Sequence, residues 1–127
     1  MVKCSASFLS TPKYLIARDN VKGGTYCAGN VRYWSVPLAG GTPTNFDATV
    51  GMNSKGMRAS GEYVYRADSA CTGSSKESDT TTITRVRIDG SEPPVVLAVL
   101  HEGLMDMRVQ GDYLYLLDFS KLQRIAK

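Results

Sequence analysis

A short segment recurs three times along the chain, and its spacing constrains the fold more than any other feature of the sequence. The clearest copy is residues 111–118 (GDYLYLLD), the second is residues 61–68 (GEYVYRAD), and a weaker third is residues 12–19 (PKYLIARD). The first tyrosines of successive copies lie 49 and 50 residues apart. A fixed period of about fifty residues is typical of repeat proteins, in which each unit is one small supersecondary motif. We therefore predict three related units.

Each unit contains the signals of short β-strands joined by turns. Tyr63, Tyr65 and Ala67 alternate with Val64 and Arg66, the period-two pattern of a strand, and residues 82–88 form a β-branched run that ends at the turn signal Asp89-Gly90. No segment has helical periodicity over about eleven or more residues. We predict an all-β fold in which the polar segments 20–30 and 69–81 are loops. The predicted strands are residues 5–10, 13–17, 31–37 and 45–50 in the first unit, 55–60, 62–67, 82–88 and 95–100 in the second, and 104–110, 112–117 and 121–126 in the third.

The predicted architecture is one region, residues 1–127, with units at 5–50, 55–101 and 104–127, the last of them incomplete. Four short antiparallel strands per repeat of about fifty residues are typical of a β-propeller blade. A four-stranded sheet cannot bury both faces alone, so blades stack face to face. We predict a partial ring or fragment, whose ends face further blades of the same longer chain or of another copy. If residues 1–4 supplied a fourth strand to a partner's third blade, two chains would give six blades. The aromatic residues predicted to pack between blades are Tyr14, Tyr63, Tyr65, Tyr113, Tyr115 and Trp34.

Charge and cysteine content argue against several classes of function. The chain has 15 basic and 12 acidic residues, a net charge of +3 that is too small and too dispersed to indicate nucleic-acid binding. No apolar run approaches the roughly 18 residues that span a membrane, and the N-terminus has no apolar signal-peptide core. The lone His101 and three cysteines without CxxC spacing cannot complete a zinc site. The sequence therefore predicts no cofactor.

Two stretches resemble a known family of repeats. Residues 63–68 (YVYRAD) with residues 83–90 (ITRVRIDG) resemble the YWTD blades of low-density-lipoprotein-receptor-type propellers and their bacterial relatives. Residues 33–43 (YWSVPLAGGTP) carry the same pattern in the first unit, and the resemblance covers nearly the whole chain as about two and a half blades. Residues 14–16 (YLI) depart from the pattern by lacking its second aromatic, and the long polar loops are atypical of it.

The resemblance carries implications for function. Similar propellers usually have six blades and serve as binding or scaffolding surfaces. The resemblance therefore implies a protein or carbohydrate ligand, no enzymatic activity, and an extracytoplasmic or secreted location.

The recurrent Asp19, Asp68 and Asp118 are candidate site residues, because each follows its tyrosine by five positions. They could form a ring of carboxylates for a cation. The simpler interpretation, which we favour, is that each aspartate caps its own turn by accepting backbone N–H groups. A calcium site needs six to eight oxygen ligands, and the short loop after Asp118 is too sparse to supply them.

The connecting segments supply the other candidate residues. His101 and Glu102 could act as a general base pair, but a lone histidine beside a glutamate in a loop is more often a surface residue. Together with Asp19, Asp68 and Asp118, they form the predicted interaction rim. Cys27 and Cys71 fall in equivalent loops of adjacent units, where a disulfide is an open alternative if their Cα atoms lie within about 7 Å. Such a disulfide would imply an oxidising compartment.

These observations favour a non-enzymatic binding or scaffold module that presents loops on a propeller rim. One alternative is a hydrolase or lyase fragment with a site at the ring centre, and another is a purely structural fragment. The predicted innermost strands offer Asp106, Arg58 and Arg108 but no histidine. This inventory of acid and base groups argues against the enzyme.

Overall fold

The computed structural model describes residues 3–22, 29–71, 77–101 and 103–127. In this part of the chain all regular structure is β-strand, which confirms the prediction of an all-β fold. No helix that could cross a membrane occurs among these residues. The strands are β1 (Lys3–Ser10), β2 (Tyr14–Lys22), β3 (Gly29–Pro37), β4 (Thr44–Val50), β5 (Met52–Ser60), β6 (Tyr63–Cys71), β7 (Glu77–Arg87), β8 (Val95–Leu100), β9 (Leu104–Gln110), β10 (Tyr113–Asp118) and β11 (Leu122–Ala126).

The strands form three antiparallel sheets, each a simple meander in chain order. Sheet 1 is β1-β2-β3-β4, sheet 2 is β5-β6-β7-β8, and sheet 3 is β9-β10-β11. Tight turns join the first two strands of sheets 2 and 3, where Gly61 and Gly111 adopt positive φ angles of 62° and 58°. A glycine takes this left-handed conformation without steric cost, which accounts for its place at the start of the recurrent segment.

Equivalent residues of the three repeats pair in the same way in all three sheets. Positions can therefore be matched between sheets, and each position can be assigned to one of two faces. Tyr14 pairs with Pro37 in sheet 1, as Tyr63 does with Arg87 in sheet 2 and Tyr113 with Ala126 in sheet 3. Because side chains alternate along a strand, these pairings fix which positions lie on the same face. We call one the leading face, marked in successive sheets by Leu15, Val64 and Leu114. The other is the trailing face, marked by Ile16, Tyr65 and Tyr115.

Sheet 2 lies between the other two sheets, and both of its faces are covered. The trailing face of sheet 1 packs on the leading face of sheet 2 through one apolar cluster: Ile16, Val31, Tyr33, Met57, Val64 and Ile88. The trailing face of sheet 2 packs on the leading face of sheet 3 through a second cluster: Tyr65, Ala67, Ile83, Leu100, Met107, Leu114 and Leu116. Burial of these side chains provides the main stabilisation of the stack.

The predicted polar loops 20–30 and 69–81 are partly wrong, because strands run into both segments. The strand β2 continues to Lys22 and β6 to Cys71, whereas β7 already begins at Glu77. The extensions pair with each other, as at Ser69 and Thr81, whose buried hydroxyl oxygens lie 3.1 Å apart. Ladder hydrogen bonds between two strands need no apolar side chains, so polarity alone did not indicate where the strands end.

The aromatic residues predicted to pack between sheets are buried to different degrees. Tyr65 is almost fully buried, whereas Tyr14, Tyr63, Tyr113, Tyr115 and Trp34 are half-buried. Arginines lie over two of these rings, with Arg85 4.8 Å from the ring centroid of Tyr63 and Arg124 4.2 Å from that of Tyr113. A cation over an aromatic ring adds a modest attraction at such partly exposed sites.

Candidate functional site

Asp118 caps the turn between β10 and β11. Its Oδ1 accepts hydrogen bonds from the backbone N–H groups of Ser120 and Lys121, both at 2.8 Å, and from the Ser120 hydroxyl at 3.1 Å. The hydrogen bond from the Ser120 backbone lowers the pKa of Asp118 most, and desolvation partly opposes this effect. The Asp118 carboxylate therefore stabilises the β10–β11 turn to which it belongs.

Asp118→Ala is expected to lower the thermal midpoint at neutral pH by a few degrees, because two backbone N–H groups lose their acceptor. Asp118→Asn is the matched control and should lose less, since an amide oxygen can still accept. The folded-state pKa of Asp118 lies below its unfolded value, so its contribution is present above the unfolded pKa and is lost as pH falls through the folded pKa. Melts across acidic pH should therefore show the wild-type advantage over Asp118→Ala shrinking; a gap that widens in acid would contradict the assignment.

Asp19 makes an ion pair across β2 and β3. Its two carboxylate oxygens accept from Arg32 Nε at 3.2 Å and from Arg32 Nη2 at 2.7 Å. The side chains are 52% exposed for Arg32 and 32% for Asp19, and ion pairs this accessible add little to stability. Asp19 is thus the one of the three recurrent aspartates with an accessible side chain, and it already has a partner.

Asp68 lies inside the molecule, in a group that we call the buried arginine network: Asp47, Arg66, Asp68 and Tyr33. Arg66 of sheet 2 donates from Nε to Asp47 Oδ2 of sheet 1 at 2.6 Å and from Nη1 to Asp68 Oδ2. The guanidinium carbon of Arg66 lies 5.9 Å from the ring centroid of Tyr33. The network therefore ties two sheets together by charge beside the apolar cluster that joins them.

Burial dominates the electrostatics of this network. Desolvation raises the pKa of Asp68 above its usual value, although the neighbouring Arg66 acts in the opposite direction. Burial also raises the pKa of Tyr33. Asp68 Oδ1 has no hydrogen-bond partner among the described atoms, so Arg66 is the main group that compensates this carboxylate, with a smaller contribution from the charge of Arg18. An aspartate enclosed in this way is not available to an external partner.

His101 and Asp118 come together at one end of the seam between sheets 2 and 3. His101, in the β8–β9 connection, is exposed and lines a cavity with Asp118 and Lys121 of the β10–β11 turn. Val99, Leu100 and Gln123 complete the lining. Glu102 lies outside the described residues, so the general base pair considered for His101 and Glu102 stays a hypothesis. Connections from two different sheets thus share this end of the stack.

The remaining candidate residues do not gather into a common centre. Among the residues that the structure describes, no group of three His, Cys, Asp or Glu side chains could hold a metal ion. Cys27 lies outside the described residues, and Cys71 ends β6 with a side chain that is likewise outside them. The disulfide between Cys27 and Cys71 therefore stays the open alternative that the sequence leaves.

The first strands of the three sheets neighbour one another, with β5 contacting both β1 and β9. Across the second of these contacts, Arg58 Nη2 donates to Asp106 Oδ1 at 2.9 Å. The same oxygen accepts from the backbone N–H of Met107 at 2.8 Å. Arg58 and Asp106, two of the residues considered for a ring-centre site, are therefore paired with each other.

Large apolar side chains are uncovered at both ends of the stack. On the leading face of sheet 1, Phe8 is 66% exposed and Leu15 is 36% exposed. On the trailing face of sheet 3, Leu117 is 41% exposed and Leu122 is 68% exposed. Each end carries several such side chains on one sheet, and exposed apolar patches of this kind mark interaction surfaces.

The buried arginine network is not among the sites predicted from the sequence. Asp47 and Tyr33 belong to no predicted site, and Arg66 is one position of a predicted strand. A signal was present, because Arg66 stands on the leading face at the register position that Leu116 occupies in sheet 3. A charge at a position that is apolar in a related sheet indicates a buried partner.

Comparison with known proteins gives no relative from which a role could be transferred. No protein-family model, no curated protein and no solved structure matches the chain.

Proposed function

We propose that this chain is a non-enzymatic binding or scaffold module built from β-propeller-type blades similar to YWTD blades. Three features support the proposal: the antiparallel meanders, their face-to-face stacking, and first strands that neighbour one another. In a propeller, blades pack through such faces and first strands line the centre. The alternative of a hydrolase or lyase centre would rely on Asp106, whose Oδ1 is engaged by Arg58 and by a backbone N–H.

The binding surface in this proposal is the rim that contains the β8–β9 connection and the β10–β11 turn. The main support for this binding surface is the cavity that His101 and Lys121 both line, because two sheets contribute to one recess. Asp118 fixes the turn that presents Lys121, so the recess is held by a rigid scaffold. Loops held in this way are the usual sites of recognition.

A binding screen on immobilised oligosaccharide and peptide arrays tests the proposal. We expect the wild-type chain to retain selected array ligands, and His101→Ala/Lys121→Ala to bind them at least about tenfold more weakly. Lys13→Ala is the matched control. Lys13 forms an exposed ion pair with Glu62 at 2.9 Å, in the turns at the other end of the strands. Retention of no array ligand, or equal losses in the rim variant and the control, would overturn the proposed rim.

A further inference from the structure

The uncovered leading face of sheet 1 matches faces that are buried elsewhere in the chain. Phe8 pairs with Ala17 in sheet 1, as Met57 does with Arg66 in sheet 2 and Met107 with Leu116 in sheet 3. Phe8 is 66% exposed, whereas Met57 and Met107 are 5% and 3% exposed. Leu15 likewise has the register position of two fully buried residues of the next sheets, Val64 and Leu114.

The uncovered trailing face of sheet 3 shows the same relation from the other side. Leu122 pairs with Leu117, as Ile83 does with Ala67 in sheet 2 and Tyr33 with Arg18 in sheet 1. Ile83 and Tyr33 are fully buried against the next sheet, whereas Leu122 is exposed. The apolar side chain of Leu122 is therefore exposed on sheet 3, although the equivalent position is buried in the two preceding sheets.

The two ends of the stack are thus the two halves of a contact that the chain already makes twice internally. We propose that a second copy of this chain covers each end, with the trailing face of sheet 3 packed on the leading face of sheet 1 of the next copy. The contact is head-to-tail, so it joins two different surfaces of identical chains. Leu117, Tyr115 and Leu122 of one copy would meet Phe8, Leu15 and Ala17 of the other.

Apolar burial is the interaction that holds this contact together. The internal ion pair between Arg58 and Asp106 has no counterpart in it, because Ser7 of sheet 1 stands where Asp106 stands in sheet 3. Arg32 and Asp19 on the outward face of sheet 1 already neutralise each other.

Light scattering of the full chain gives the first test. We expect a molar mass above the 13.8 kDa of one copy at micromolar concentration. A fixed multiple of that mass indicates a closed assembly, and a mass that rises steadily with concentration indicates an open array; both support covering of the ends by further copies, and the variants below test the direction of the contact. A single-copy mass across this range would overturn the inference.

Single-face variants test the direction of the contact. Phe8→Glu damages only the leading face and Leu122→Glu only the trailing face, and both side chains are exposed, so each variant should fold. Every head-to-tail contact needs one of each face, so each variant alone should associate at least about tenfold more weakly than wild type. An equimolar mixture should regain a two-copy species, because each variant keeps the face that the other has lost.

A symmetric contact of like faces would behave differently. One single-face variant would then associate as the wild type does, and mixing would restore nothing; that result would overturn the inference. Circular dichroism and thermal melts establish that both variants fold, and Lys13→Ala is the control for an exposed substitution away from either face. Neither face includes His101 or Lys121, so array binding by the single-face variants separates failure of this inference from failure of the proposed rim.

Discussion

Replacing Arg66 with leucine is expected to lower the free energy of unfolding by about 3–5 kcal/mol, because removing one partner of a buried ion pair leaves uncompensated charge. Asp47 and Asp68 would lose the guanidinium that bridges them, and the side chains of both are at least nine-tenths buried. Leucine suits the backbone here, since Leu116 occupies the same register position in sheet 3. The loss of stability would therefore come from the missing charge and not from a poor fit of the leucine side chain.

Denaturant unfolding of two variants measures this effect. The triple variant Asp47→Asn/Arg66→Leu/Asp68→Asn removes all three charges and should recover much of the loss, because neutral side chains avoid the cost of buried unpaired carboxylates. A single variant that loses less than about 1 kcal/mol would contradict the buried network, since that is the range of exposed ion pairs.

The pH dependence of Arg66→Leu supplies a second readout. Burial already raises the folded-state pKa of Asp68 above its unfolded value, and loss of Arg66 removes the group that lowers this pKa most, with only the smaller effect of Arg18 remaining. The folded state then holds its proton to higher pH than the unfolded state does. The variant should be most stable relative to wild type at acidic pH and should lose stability as pH rises through the folded pKa of Asp68. A relative stability that rises with pH would contradict this assignment.

Ile83→Ala is expected to cost about 2–5 kcal/mol, the usual range for removing a large aliphatic side chain from a packed core. Ile83 is fully buried in the cluster between sheets 2 and 3, and the neighbouring Met107 and Leu114 would line the resulting cavity. Leu122→Ala is the matched control, because Leu122 has the same register position on a face that is uncovered in one copy.

Dilute samples, in which copies are separate, are the correct setting for this comparison. Under those conditions Leu122→Ala should change the free energy of unfolding by less than about 0.5 kcal/mol, as surface substitutions generally do. Equal losses at Ile83 and Leu122 in separated copies would show that the two faces are not buried differently. Chemical denaturation monitored by tyrosine and tryptophan fluorescence resolves a difference of this size.

The sequence predicted the strands well because period-two alternation and turn residues are local signals. All eleven predicted strands have a counterpart in the structure, and Gly61 and Gly111 mark tight turns between strands. The ends of the strands were harder to predict from the sequence. Extension of β6 and β7 into a polar segment depends on pairing such as that of Ser69 with Thr81, and neither partner has an apolar pattern.

The candidate site was harder to predict because it depends on which residues meet across sheets. The three aspartates have the same spacing in sequence, yet Asp118 caps a turn, Asp19 pairs on the surface and Asp68 is enclosed. What differs is the neighbouring side chain: Arg32 opposes Asp19 on the next strand, and Arg66 stands two residues before Asp68. Similar segments therefore acquired different electrostatic roles from their surroundings.

We expect the buried arginine network also to favour one order of the sheets over another. Sheets 2 and 3 present similar apolar leading faces, so shape alone would let sheet 3 dock on sheet 1 in place of sheet 2. In that misassembled chain Leu116 would lie opposite Asp47, and the Asp47 carboxylate would lose the ion pair that Arg66 provides. Arg66 should therefore make the packing of sheet 2 on sheet 1 more favourable during folding than the packing of sheet 3, whose leading face is similar in shape.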